Sequence, residues 1–86
     1  MVKVFSFSGC PYCEKLVGLL NDSNIEYELI DIHSENGSKS FEMVTAITKS
    51  DMVPTITIGE HILVPEVSFK TIDNAFKLIQ MFLKKS

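Results

Sequence analysis

Apolar and polar positions along the chain divide into short runs with two different periods. Residues 2–7 are rich in Val and Phe, with Lys3 and Ser6 between them, and predict a strand. Ser8-Gly9 breaks that run, and Pro11 suits the first turn of a helix, where a missing N–H costs nothing. Leu16, Val17, Leu19 and Leu20 continue the helix, with Cys13 on the same stripe at i+3 and i+4 steps. Gly18 weakens it slightly, and the cluster Asn21-Asp22-Ser23-Asn24 stops it.

Residues 26–32 predict a second strand. Two strands joined by a helix imply a parallel pair with a right-handed crossover. Ser34 to Ser38 reads as a loop around Gly37, with Ser38 or Ser40 capping a second helix that carries Phe41, Val44 and Ile47 and ends near Lys49. Pro54 opens a third strand, and Thr55 to Ile58 alternates polar and apolar. Gly59-Glu60 is a two-residue turn to Ile62-Leu63-Val64, and glycine at its first position suits type II′. Pro65 ends that strand. Ile72, Ala75, Phe76, Ile79 and Leu83 recur at helical spacing, with Lys84 and Lys85 at the end where the helix dipole favours cations. Met43 and Met81 read as core filler. The order β-α-β-α-β-β-α makes this an α/β chain, and its 86 residues fit one domain, 1–86.

Composition narrows the function. The hydrophobic fraction of 45% is that of a globular protein. A net charge of −3 argues against a nucleic-acid partner, whose phosphates call for clustered bases. No run approaches the roughly 18 apolar residues of a membrane span, and residues 1–7 are too short for a signal-peptide core. A cytoplasmic protein is therefore expected, with no membrane partner. Cys10 and Cys13 are its two cysteines, too close together to staple distant segments. Their purpose is local chemistry.

A thiol attacks disulfides as its thiolate. Cys10 precedes Pro11 and so lies at a helix N-terminus, where unpaired N–H groups and the helix dipole favour an anion. Cys13 lies one turn further on the same face. The stripe predicts Cys13 deeper and Cys10 exposed, which makes Cys10 the attacking sulfur and Cys13 the resolving one. Lys15 adds positive charge nearby, and Glu14 opposes it. Two other readings of the pair exist. A structural zinc needs two further ligands, and His33 and His61 are far apart and belong to no second ligand pair, so no metal is expected. Inert core cysteines would leave Pro11 and the helix start unexplained. Both histidines read as loop or edge residues.

Ser8-Gly9-Cys10-Pro11-Tyr12-Cys13 resembles the active-site motif of the glutaredoxins, and the element order along the whole chain is similar to theirs. The resemblance implies a thioredoxin-like fold with a four-stranded mixed sheet flanked by helices. It implies a dithiol-disulfide oxidoreductase acting on protein disulfides or glutathione-mixed disulfides, with glutathione as co-substrate, no tightly bound cofactor, and a monomeric state. It also implies a cis bond at Val53-Pro54 and backbone pairing of Val53 with glutathione or an extended peptide. Tyr12 would flank the mixed disulfide; its other reading is a solvent-facing ring.

Three departures bear on the partner. Phe7 stands where many glutaredoxins carry Lys or Arg that holds a glutathione carboxylate. Met52 replaces a Thr. Leu63-Val64-Pro65-Glu66-Val67-Ser68 replaces a Gly-Gly segment followed by Asp, with Ser68 expected as the helix N-cap that receives a carboxylate. Phe7, Met52 and Val64 are expected as an apolar rim around Cys10, though any of them could instead fill the core. These departures leave an alternative open: a thioredoxin-like electron donor, for example to ribonucleotide reductase, recharged by thioredoxin reductase, a flavoprotein. A third class is a [2Fe–2S] or zinc carrier, in which the Cys10 thiolate would ligate iron.

Overall fold

A computed structural model describes residues 2–85, with the side chain of Lys85 outside the described set. The elements are β1 (Val2–Ser6), α1 (Pro11–Asp22), β2 (Tyr27–Asp31), α2 (Glu35–Thr48), β3 (Thr55–Ile58), β4 (His61–Leu63) and α3 (Ile72–Lys85). The sheet order is β2-β1-β3-β4. β1 pairs parallel with β2 and antiparallel with β3, and β3 pairs antiparallel with β4, so the sheet is mixed as expected.

This topology collects the loops that matter at one end. The C-terminus of β1 pairs with that of β2 through Ser6↔Asp31. The antiparallel partner places the start of β3 at the same end through Phe5↔Thr55, and Leu63 at the end of β4 pairs with Ile56. The segment 7–10, the Val53-Pro54 bond and the segment after Leu63 therefore all leave the sheet at one end. His61 sits at the opposite end, opposite Ile58 in the two-residue turn. Gly59 there has φ 60, and Glu60 is not in the positive-φ region, as a type II′ turn requires.

The strand period places Val2 and Val4 on one sheet face with Ile56, Ile58 and Leu63. That face is covered by Leu16 and Leu20 of α1 and by Ile72, Ala75 and Ile79 of α3. Leu16, Leu20 and Ile79 are 0% exposed. Burying each such side chain stabilises the fold by about 1.5–3 kcal/mol. The opposite face carries Phe5, which meets Phe41 of α2 at 5.8 Å between ring centroids.

α2 departs from expectation at its start. Its N-cap is Ser34, whose Oγ accepts the Gly37 N–H at 3.0 Å, so the stretch read as a loop is the first turn of the helix. Glycine at 37 suggested a loop, but its lack of a side chain is needed for packing. A Cβ there would collide with the Asp31 carbonyl oxygen at the end of β2. Met43 and Met81 are 69% and 53% exposed and do not fill the core. Met43 lies on the outer side of α2 one residue from buried Val44.

Gly18 is the reverse case. It is helical, has no positive φ, and a Cβ added to it meets nothing within 4 Å. The fold does not need a glycine there. Gly18→Ala should therefore stabilise the protein by about 1 kcal/mol, the helix-propensity difference. Gly37→Ala should destabilise it by about 1–3 kcal/mol through overpacking. Urea unfolding of both variants checks this, with midpoints expected to move in opposite directions.

Candidate active site

α1 begins with Cys10 as its N-cap, in extended conformation at φ −85 and ψ 107, and with Pro11 as the first helical residue. Pro11 has no N–H to leave unpaired, and its ring favours the helical φ. The Cys10 sulfur takes the place usually held by a Ser or Asp oxygen: the Cys13 N–H donates to Cys10 Sγ at 3.2 Å. The Glu14 N–H donates to the Cys10 carbonyl at 3.1 Å and closes the first turn. Cys10 and Cys13 are joined as a disulfide, with Cα atoms 5.3 Å apart. When the pair is reduced, the same N–H faces a thiolate and the helix N-terminus favours its charge.

Both cysteines are 3% exposed, so the expected contrast between an exposed Cys10 and a deeper Cys13 is absent. The helical stripe locates Cys13 correctly, but Cys10 precedes the helix, where the stripe does not report burial, and it is buried as deeply. The Cys10 N–H donates to the Phe7 carbonyl at 3.3 Å, which folds residues 7–10 into a turn. What separates the two sulfurs is the helix terminus, not depth.

Val53-Pro54 is a cis peptide bond. Pro54 is buried and Val53 half-buried. The buried Thr55 hydroxyl donates to the Met52 carbonyl at 2.6 Å and ties down the segment before β3. Tyr12 is 66% exposed, in agreement with a ring free to face a ligand or solvent. Lys15 is directed to α3, where its Nζ lies 3.8 Å from Asp73 in an exposed ion pair. Such pairs contribute little stability.

Ser68 does not cap α3. Thr71 does: its Oγ1 accepts the Asn74 N–H at 3.1 Å and its carbonyl accepts the Ala75 N–H at 3.0 Å. Ser68 instead accepts the Val64 N–H on its Oγ at 3.0 Å, and donates its own N–H to the Val64 carbonyl at 2.9 Å. It closes a tight turn in which Glu66 adopts φ 69. Both Ser68 and Thr71 have the right side chain for a cap, and only the tertiary path of the chain separates them.

The expected apolar rim is also divided. Val64 is core, at 4% exposure, while Met52 is 46% exposed at the β3 side of the site. Phe7 lies on the other side of β1, toward β2, with its ring 6.0 Å from that of His33. There it lines a groove with Cys13, Glu14, Val17, Gly18, Leu29 and Asp31. No hydrophobic pattern in the sequence signals this groove, because it arises where α1 fails to cover β2. Among the described residues no group of three or more His, Cys, Asp or Glu side chains is placed to hold a metal ion. No described helix is long and apolar enough to cross a membrane.

A four-stranded mixed sheet, three helices and a redox cysteine pair at the first helix N-terminus define a thioredoxin-like domain. The glutaredoxin family model matches residues 2–63, and the chain belongs to the glutaredoxin family. The match stops at Leu63, immediately before the segment that departs from the family pattern. A glutaredoxin-like 8.6 kDa protein in the rubredoxin operon of Clostridium pasteurianum is 31% identical over 74% of this chain and 83% of that protein. A glutaredoxin of Vernicia fordii is 36% identical over 71% of this chain and 61% of its own length. Among solved structures, the buckwheat glutaredoxin–glutathione complex superposes with a TM-score of 0.69 at 20% identity, covering 93% of this chain and 68% of that one. A glutaredoxin from Archaeoglobus fulgidus gives 0.68 at 24% identity, covering 92% and 85%.

The helix-terminal position of Cys10 predicts an order of reactivity. With limiting iodoacetamide and the reduced protein, Cys10 should be alkylated about tenfold faster than Cys13, in line with greater thiolate character. Peptide mapping by mass spectrometry reads the ratio, and equal labelling would contradict it.

Proposed function

We propose that the protein is a thiol-disulfide oxidoreductase that reduces protein disulfides and glutathione-mixed disulfides through Cys10 and Cys13. The observation that carries this reading is the Cys10 sulfur at the N-cap of α1, hydrogen-bonded by the Cys13 N–H and bonded to the Cys13 sulfur. The Cys10 thiolate attacks a substrate disulfide and forms a mixed disulfide, releasing the first substrate sulfur as a thiolate that takes a proton. The Cys13 thiolate then attacks Cys10 Sγ. The second substrate sulfur leaves, and two electrons have passed from the protein to the substrate. Val53 next to Pro54, Tyr12 and Ser68 are assigned to the substrate or glutathione side, with Pro11 and Lys15 in support. A reducing compartment such as the cytoplasm suits this direction of flow.

Glutathione recharges the site in the main reading. One glutathione attacks Cys10 and frees the Cys13 thiol, and a second releases glutathione disulfide. A second reading keeps the chemistry and takes electrons from thioredoxin reductase. It is favoured by Phe7 in place of a base and by the Ser68 turn, which holds Ser68 away from the α3 N-terminus. The glutaredoxin-like relative from a Clostridium rubredoxin operon hints at this second reading without outweighing the first.

Cys10→Ser should abolish reduction of all disulfides, whereas Cys13→Ser should retain deglutathionylation and lose reduction of protein disulfides. Full activity of Cys10→Ser would sink the assignment. Recycling is measured separately with glutathione plus glutathione reductase and with thioredoxin reductase. Fast turnover with glutathione supports the main reading, and turnover with thioredoxin reductase alone supports the second.

A further inference from the structure

The groove between α1 and β2 belongs to neither side of the reaction described so far. It has a volume of about 620 Å³ and opens beside Cys13. No residue of the Val53-Pro54 segment, of β3, β4 or α3 lines it, so it lies across β1 from the cis proline. Its apolar surface comes from Phe7 and Leu29, which are 38% and 54% exposed, and from half-buried Val17. Its charged groups are Glu14 and Asp31, and no Lys, Arg or His lines it. Among the described residues Glu14 has no ion pair or side-chain hydrogen bond. Asp31 uses one carboxylate oxygen to accept the His33 N–H at 2.8 Å.

Gly18 supplies an independent observation. It stands in the groove wall, in a helix where alanine would be the better residue and where a Cβ would meet no protein atom. A glycine that its own fold does not require leaves backbone open to close approach by something else. Apolar surface, two carboxylates without a base, and an open backbone beside a redox sulfur fit one kind of occupant.

We propose that this groove docks a polypeptide segment of the protein substrate that flanks its disulfide and carries an apolar side chain and a Lys or Arg. The apolar side chain packs on Phe7, Val17 and Leu29, and the cation faces Glu14 and Asp31. Glutathione, with two carboxylates and one ammonium, is a poor match for this charge, so the groove selects protein disulfides. The proposal rests on the redox reading and specifies its substrate class.

The test uses two cystine-bridged peptides, alike except that Leu-Arg or Leu-Asp follows the second cysteine. The pre-reduced full-length protein reduces each in single turnover, with bis(2-hydroxyethyl) disulfide as the small reference. The Leu-Arg peptide should react about tenfold faster than Leu-Asp at low salt, a gap that narrows in 0.5 M NaCl, where the Debye length is shorter than the roughly 10 Å of 0.1 M salt. Gly18→Leu should lower the rate ratio of the Leu-Arg peptide to the small disulfide about tenfold by filling the groove. Glu14→Lys should reverse the preference between the peptides. Equal rates for both peptides, or equal slowing of peptide and small disulfide by Gly18→Leu, would overturn the proposal. A Leu-Arg peptide with serines for cysteines separates binding from chemistry. It should shift the amide resonances of Val17, Gly18 and Leu29, and shifts confined to Val53 and Thr55 would overturn the groove. If the wild-type protein reduces no disulfide, the redox reading fails, and these shifts still decide whether the groove binds.

Discussion

The structure depends on one junction, where β1 ends and α1 begins. A helix N-terminus has N–H groups with no partner inside the helix. Here one of them, from Cys13, is satisfied by the Cys10 sulfur. The same contact that caps the helix therefore prepares the sulfur for negative charge. Pro11 makes the start sharp, and the Cys10 N–H bonded to the Phe7 carbonyl fixes the turn that leads into it. The rest of the fold holds that junction still. β1 is flanked by β2 and β3, and the inner face of α1 is pinned by Leu16 and Leu20 against the strands and α3.

The junction has two flanks of different character. On the β3 side stand the cis Val53-Pro54 bond, Met52 and the turn closed by Ser68. On the β2 side stand Phe7, Val17 and Leu29 with the carboxylates of Glu14 and Asp31. Lys15 is held by Asp73 on α3 and faces away from the β2 side. The two flanks can therefore bind chemically different things around one pair of sulfurs. The departures from the family pattern fall on both flanks, at Phe7 and at 64–68, while the Cys10–Cys13 unit between them is kept.

Much of this was legible in the residues. The strand and helix periods predicted all seven elements, and the Gly59-Glu60 turn followed from the two-residue spacing between apolar runs. The misread points share a cause. Gly37 looked like a loop residue because its packing partner, the Asp31 carbonyl, is six positions away in sequence and on another element. Ser68 was expected as the α3 cap from its side chain, but the chain's path from Val64 to Phe69 engages it with Val64 and leaves the cap to Thr71. Cys10 was expected at the surface because periodicity says nothing about a residue just outside the helix.

By itself the sequence determined the chemistry: a Cys-Pro-Tyr-Cys at a helix start places two sulfurs within bonding reach and one of them on unpaired N–H groups, through local backbone geometry alone. Tertiary structure decided access. Which residues border the sulfurs depends on how α1 lies across β1 and β2, and on how the strands bring residues 7, 53 and 64 to one end of the sheet. Those are contacts between distant segments, set by packing, and no spacing along the chain encodes them directly.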